Sequence, residues 1–206
     1  ASRSPIQAGA ELYGYQGVEG DIEVIELMAA SLSLIGIEDI TLSFGNTAIF
    51  NALCESAELN NQDIASLRDI FRRKSIPDLV DFFDRNEIKH ADKFHSLISL
   101  DGDESILDKA AKIYKEFPTV IDAIKDLKKL HSFFKDSNLN LMFDLGEVKA
   151  YEYHNGLVFA AYHLNFSKAL AQGGRYNSLS ESFGSSRDAT GFSFDLKFLI
   201  QQQLNF

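Results

Sequence analysis

The sequence holds one cysteine, Cys54, in 206 residues. A single thiol excludes an intramolecular disulfide and suits a reducing compartment, so a cytoplasmic protein is expected. No apolar run approaches the ~20 residues that a bilayer-spanning helix needs. No basic-then-apolar leader marks export, and a membrane is not expected as a partner. Positive charge is scarce as well: 20 Lys and Arg against 30 Asp and Glu leave a net charge of −10. That sign disfavours phosphate backbones, which excludes a dedicated nucleic-acid binder. The short basic groups "FRRK" (Phe71–Lys74) and "KDLKKL" (Lys125–Leu130) fall on helical patterns and read as solvated faces.

Several chemistries are missing too. The five histidines (His90, His95, His131, His154 and His163) form no i, i+4 pair, and one cysteine cannot complete a zinc set. No metal and no cofactor are expected. There is no phosphate-binding P-loop and no G-x-S-x-G elbow. Cys54 lies in "FNALCESAEL", an apolar helical context that fits a buried structural thiol rather than a nucleophile. "DGDE" (Asp101–Glu104) lacks the rest of a calcium loop and reads as acids gathered at a helix N-terminus.

What is present begins with 45% hydrophobic residues, enough for a real core in one domain or two small ones. Residues 5–17 suggest a strand and turn, and Ile22, Ile25, Met28, Ala29 and Leu32 recur at helical spacing. "DITLSFGN" (Asp39–Asn46) reads as a strand, with Asn46 placed to cap a helix through Cys54. A block of amphipathic helices is expected over about 57–136, with Pro118 at the first turn of one of them. Beyond Ser137 the period changes to alternation: Leu139, Leu141, Phe143 and Leu145 share a strand face. Asn155-Gly156 between two β-prone runs predicts a two-residue hairpin turn. "ATGFSFDLKFLIQQQL" reads as a strand entering a last helix. Strands flanking a helical insertion predict an α+β fold on an antiparallel sheet flanked by helices.

Three polar stretches stand in these β contexts. In "RSPIQAGAELYG", Gln7 and Glu11 fall on one side of a strand, an amide and a carboxylate suited to an ammonium group. In "YEYHNG", Tyr153 and His154 could line a pocket or pair across strands. In "GGRYN", the glycines allow close backbone approach, and Arg175 can hold a carboxylate bidentately or bond nearby carbonyls.

Taken in order, "QAGAELYG" (7–14), "YHNGLVF" (153–159), "GGRYNSL" (173–179) and "ATGFSFDL" (189–196) resemble the core of histidyl-tRNA synthetase. They resemble more closely its non-catalytic relatives, the regulatory subunits of ATP phosphoribosyltransferase (HisZ). The resemblance runs from Arg3 to about Leu199 and implies a class II aminoacyl-tRNA synthetase-like core over 1–206. It also implies a fragment: the first class II motif and the start of the second would precede Ala1, and an anticodon-binding domain would follow Phe206. In that family the Gln-x-Gly-x-Glu stretch holds the amino group of histidine, and Gln7 and Glu11 occupy those positions.

The departures separate the two relatives. The synthetase has an arginine in the run before "YHNG", where this chain has Lys149, and a second tyrosine where it has His154. Lysine keeps the charge but loses the planar fork. The synthetase has glycine-leucine-glutamate-arginine at its third motif, where this chain reads Asp195-Leu196-Lys197-Phe198. A carboxylate there repels phosphates, and a phenylalanine cannot stabilise a pyrophosphate leaving group. The resemblance therefore implies a regulatory subunit with no catalytic residues. Its expected effector is L-histidine, bound by Gln7, Glu11, Lys149, Tyr153, Arg175 and Tyr176. Its expected partner is the short-form catalytic subunit of ATP phosphoribosyltransferase, in a hetero-octamer of four plus four that contains synthetase-type dimers. The alternatives are an active histidyl-tRNA synthetase core and a histidine-binding module serving another partner.

Overall fold

A computed structural model describes residues 6–148, 154–176 and 187–203. The elements are β1 (Gln7–Tyr13), α1 (Val18–Leu34), β2 (Thr41–Asn46), α2 (Thr47–Ser56), α3 (Asn61–Arg73), α4 (Ile76–Arg85) and α5 (Ala91–Leu97). They continue with β3 (Asp101–Gly102), α6 (Ser105–Ile113), α7 (Pro118–Phe134), β4 (Asn140–Asp144), β5 (His154–Tyr162), β6 (Ala171–Tyr176), β7 (Ala189–Asp195) and α8 (Leu196–Gln203).

Among the described residues the strands form one sheet in the order β1-β7-β6-β5-β2-β4-β3. Every pairing is antiparallel except β2 with β4, which is parallel. The sheet is thus mixed rather than purely antiparallel. A parallel pair needs a long crossover, and here the chain between β2 and β4 contains α2–α7 and β3.

Local chemistry sets the element ends. Asn46 Oδ1 accepts from the Ala48 amide at 3.0 Å and starts α2, as its sequence position predicts. Asn60 and Ser75 cap α3 and α4 through the Asp63 and Asp78 amides. Pro118 opens α7, where a missing N–H is harmless. The "DGDE" stretch forms β3 and the approach to α6, and Asp103 Oδ1 accepts from both the amide and the hydroxyl of Ser105.

The Asn155-Gly156 hairpin is not found. Both residues lie inside β5, whose register against β6 shifts between His154 and Val158. Gly156 lies beside the Arg175 side chain, and a methyl there would make an ordinary contact with it at 3.4 Å.

One buried cluster runs from Val18 to Leu199 and unites sheet and helices. Phe50, Phe71 and Phe94 meet edge to face, with ring centroids 5.1–6.4 Å apart. Phe44 packs against Phe134 and Phe143. Cys54 is buried beside this group, and burial pushes its thiol up to about 12.

Strand alternation divides the sheet into two faces. Ala10, Leu12, Phe159, Ala161, Phe192, Leu42 and Phe44 lie on the apolar face, which α1, α2 and α7 pack against. Gln7, Gly9, Glu11 and Tyr13 of β1 lie on the opposite face. There they register with Asp195, Ser193, Gly191 and Ala189 of β7, and through these with Gln172, Gly174 and Tyr176 of β6.

Candidate functional site

The polar face concentrates its chemistry where β1, β7 and β6 run side by side. Gln7 and Glu11 are both exposed and share one side of β1, as their spacing predicts. Glu11 stands opposite Gly191, and Gly191 stands opposite Gly174. A methyl at position 191 would overlap the Glu11 carboxylate. With no side chain there, Glu11 reaches across β7 to β6 and accepts a hydrogen bond from the Tyr176 hydroxyl at 2.5 Å. Glycine at 191 is therefore a condition of the contact rather than a backbone convenience.

Tyr176 is only 8% exposed. Burial pushes its phenol well above the ordinary range, and the hydrogen bond to Glu11 and the neighbouring Tyr13 push it the same way. The phenol therefore stays protonated and donates, which leaves the second oxygen of Glu11 to accept from a ligand N–H or ammonium. Gln7 adds an amide on the same side. Ser193 and Gln172 lie in register on that face, and neither was singled out from the sequence.

Arg175 and Tyr176 are consecutive in β6, and the structure separates them. Arg175 points through the sheet to the helical side. Its Nε and Nη2 donate to Asp21 Oδ2 at 3.2 and 2.9 Å, Nη1 to the Tyr15 carbonyl at 2.8 Å and Nη2 to the Gly17 carbonyl at 2.8 Å. The side chains of Arg175 and Asp21 are 12% and 4% exposed. The expectation that Arg175 faces the same pocket as Glu11 is corrected. Strand parity puts it on the other face, and Asp21 with two carbonyls occupies its fork.

Asp21 is the residue that sequence reasoning missed. Burial raises its carboxyl above the usual range, opposed chiefly by the charge of Arg175. Its Oδ1 and Oγ1 of Thr190, the cross-strand partner of Arg175, are both buried, and the Thr190 hydroxyl also acts to lower the carboxyl although no hydrogen bond of ordinary geometry joins them. A signal was available: Asp21, Ile25, Met28 and Leu32 form one helical line of buried side chains, and an acid at a core position needs a partner.

The other end of the face is built differently. Asp195 stands opposite Gln7, but its Oδ1 accepts from the amides of Lys197 and Phe198 at 3.0 and 3.3 Å. It is the N-cap of α8. Phe198 packs onto the core, edge to face with Phe166 at 6.4 Å. Lys149 and Tyr153 lie outside the described residues, and His154 is placed only by its register opposite Tyr176. Among the described residues no group of three or more His, Cys, Asp or Glu side chains is placed to hold a metal ion. No helix of the described residues is long and apolar enough to cross a membrane.

Comparison with known proteins places the chain among relatives. Residues 1–199 match the family model described as histidyl-tRNA synthetase. The ATP phosphoribosyltransferase regulatory subunit of Pseudomonas fluorescens is 39% identical over 205 residues, covering 97% of this chain and 51% of that protein. The chain thus spans about half the length of the curated relatives it matches. A Bacillus halodurans structure titled as an ATP phosphoribosyltransferase regulatory subunit/histidyl-tRNA synthetase superposes with a TM-score of 0.81 at 27% identity, over 95% of this chain and 52% of that one. The Thermotoga maritima HisG:HisZ complex of ATP phosphoribosyl transferase gives 0.72 at 20% identity over 93% and 66%, a likeness of fold. The sheet order, the glycine-floored acidic face and a family match over nearly the whole chain lead to one conclusion: this chain belongs to the histidyl-tRNA synthetase family.

Proposed function

We propose that the protein carrying this chain is a non-catalytic, cytoplasmic regulatory subunit of ATP phosphoribosyltransferase. It activates the short-form catalytic subunit in the first step of histidine biosynthesis and makes that enzyme sensitive to histidine. The two assemble as a hetero-octamer of four plus four. The observation that carries this reading is the unequal site. Its amino-acid end holds Glu11, Tyr176 and Gln7 on an open face. At its other end the family's cationic position is Phe198, packed on the core beside Asp195. The 39% identity to a regulatory subunit supports the same reading.

In this account the histidine ammonium lies against Glu11 and Gln7, with Tyr176 holding the carboxylate in place. By the family resemblance, Lys149 is the proposed contact for the histidine carboxylate and Tyr153 a proposed wall of the pocket. Histidine then favours one state of the complex by its differential affinity, and couplings of this kind span roughly 5- to 150-fold. Adenylation would need a cation at the leaving group, and a packed phenyl ring supplies none.

The test is steady-state turnover of the short-form catalytic subunit with and without the full-length protein, across a histidine titration. Activation that histidine then suppresses is the expected result. Unchanged turnover, together with no complex on a sizing column, would refute it. The family match keeps one second reading, an active synthetase core, which predicts histidine-dependent ATP–pyrophosphate exchange.

A further inference from the structure

We propose that the Arg175–Asp21 ion pair is the positioning element of the histidine pocket, holding the Tyr176 hydroxyl on Glu11 from the opposite face of the sheet. This rests on the reading of that pocket as a histidine site.

Glu11 and Tyr176 are on strands that do not touch, since β7 lies between β1 and β6. Their hydrogen bond therefore depends on how those two strand ends sit relative to each other. Arg175 ties the ends together. It precedes Tyr176 in β6, so its direction and that of the tyrosine are set by the same backbone. Its guanidinium grips the turn that leaves β1, through the carbonyls of Tyr15 and Gly17, and the first turn of α1, through Asp21.

The turn itself is close-packed. The Gly14 amide donates to the Asp188 carbonyl at 2.7 Å just before β7. A methyl at position 20 would come 2.9 Å from the Tyr15 ring. The arginine stem passes alongside Gly156. A buried, planar fork with donors on three acceptor groups has one geometry, which lysine cannot reproduce. A movement of α1 is thereby linked to the distance between Glu11 and Tyr176, and histidine on that face is linked to α1.

The experiment compares the full-length protein with its Arg175→Lys, Arg175→Gln and Asp21→Asn variants. Lys74→Ala serves as a destabilised control: it breaks the 2.6 Å bridge from Lys74 to Asp144, at the end of β4. Two quantities are read. One is ionisation of the Tyr176 phenol, followed by ring-13C tyrosine signals assigned with Tyr176→Phe; Glu11 and Tyr13 are among the groups that face it, and His154 stands opposite it in register. The other is L-histidine affinity by calorimetry.

Arg175→Lys is expected to bring the Tyr176 ionisation down toward the ordinary phenol range and to weaken histidine about tenfold. Lys74→Ala leaves both unchanged at a comparable loss of melting temperature. In a Tyr176→Phe background, Arg175→Lys weakens histidine no further. An unchanged Tyr176 ionisation in the arginine and aspartate variants overturns the proposal, as does an equal loss of affinity in Lys74→Ala. If Arg175→Gln does not fold, Arg175→Lys and Asp21→Asn carry the comparison. A phenol shift in a protein that binds no histidine would leave the positioning link standing and remove the effector reading instead.

Discussion

The two ends of the polar face differ in what holds their acids. At the β1–β6 end, Glu11 accepts from the Tyr176 hydroxyl, its one donor among the described residues, and stays exposed to solvent. At the β7–α8 end, Asp195 is spent on two amides of its own helix, and the residue three positions on packs on the core. An acid with accepting capacity to spare, beside an amide and over a glycine floor, can take a ligand. One that caps a helix is structural. The difference shows that the two ends of one face can vary independently, because separate strand ends build them.

The strongest way to break the comparison is to disrupt the sheet beneath it. A methyl on Gly173 would strike the Gly191 carbonyl and come within 2.7 Å of the Phe159 ring. Gly173→Ala should therefore cost more than about 3 kcal/mol in denaturant unfolding, with both ends lost together. Glu11→Gln acts on one end alone. It should weaken histidine about 100-fold in calorimetry, the loss of a charge-assisted contact, with little change in melting temperature. Phe198→Ala should cost about 2 kcal/mol of stability for a partly buried ring and leave histidine affinity unchanged. Phe198→Arg should be equally destabilised and should still give no pyrophosphate exchange. Asp195→Ala should cost about 1 kcal/mol, the value of an N-cap.

The smallest effect concerns neither end. Cys54 holds its proton to about 12 in the fold, against an ordinary value of 9.0. Its contribution to stability is therefore complete below pH 9.0 and is lost as pH rises toward about 12. At pH 8.5 the native thiol should react with a disulfide reagent only at the unfolding rate. A faster reaction in any site variant would mark a damaged core.

Much of the fold was legible in the sequence because local rules decided it. Asn46 and Pro118 sit where capping and a fixed φ place them, and period-two alternation puts Gln7 with Glu11. The misreadings share a different cause. Asn155-Gly156 has hairpin chemistry, but both residues are drawn into β5, where Gly156 lies beside a residue nineteen positions later in the chain, Arg175. The direction of Arg175 depends on which face of β6 the helices cover, and no window of local sequence contains that information. Tyr176 and Glu11 were both named as site residues. Their contact across an intervening strand follows only from the register of three strands over Gly191.

The most direct measurement is calorimetric titration of the full-length protein with histidine and with ATP, followed by a pyrophosphate-exchange assay on the same sample. The account predicts saturable histidine binding that Glu11→Gln weakens about 100-fold, no effect of ATP on it, and no exchange. Histidine-dependent ATP–pyrophosphate exchange by the purified protein would contradict it.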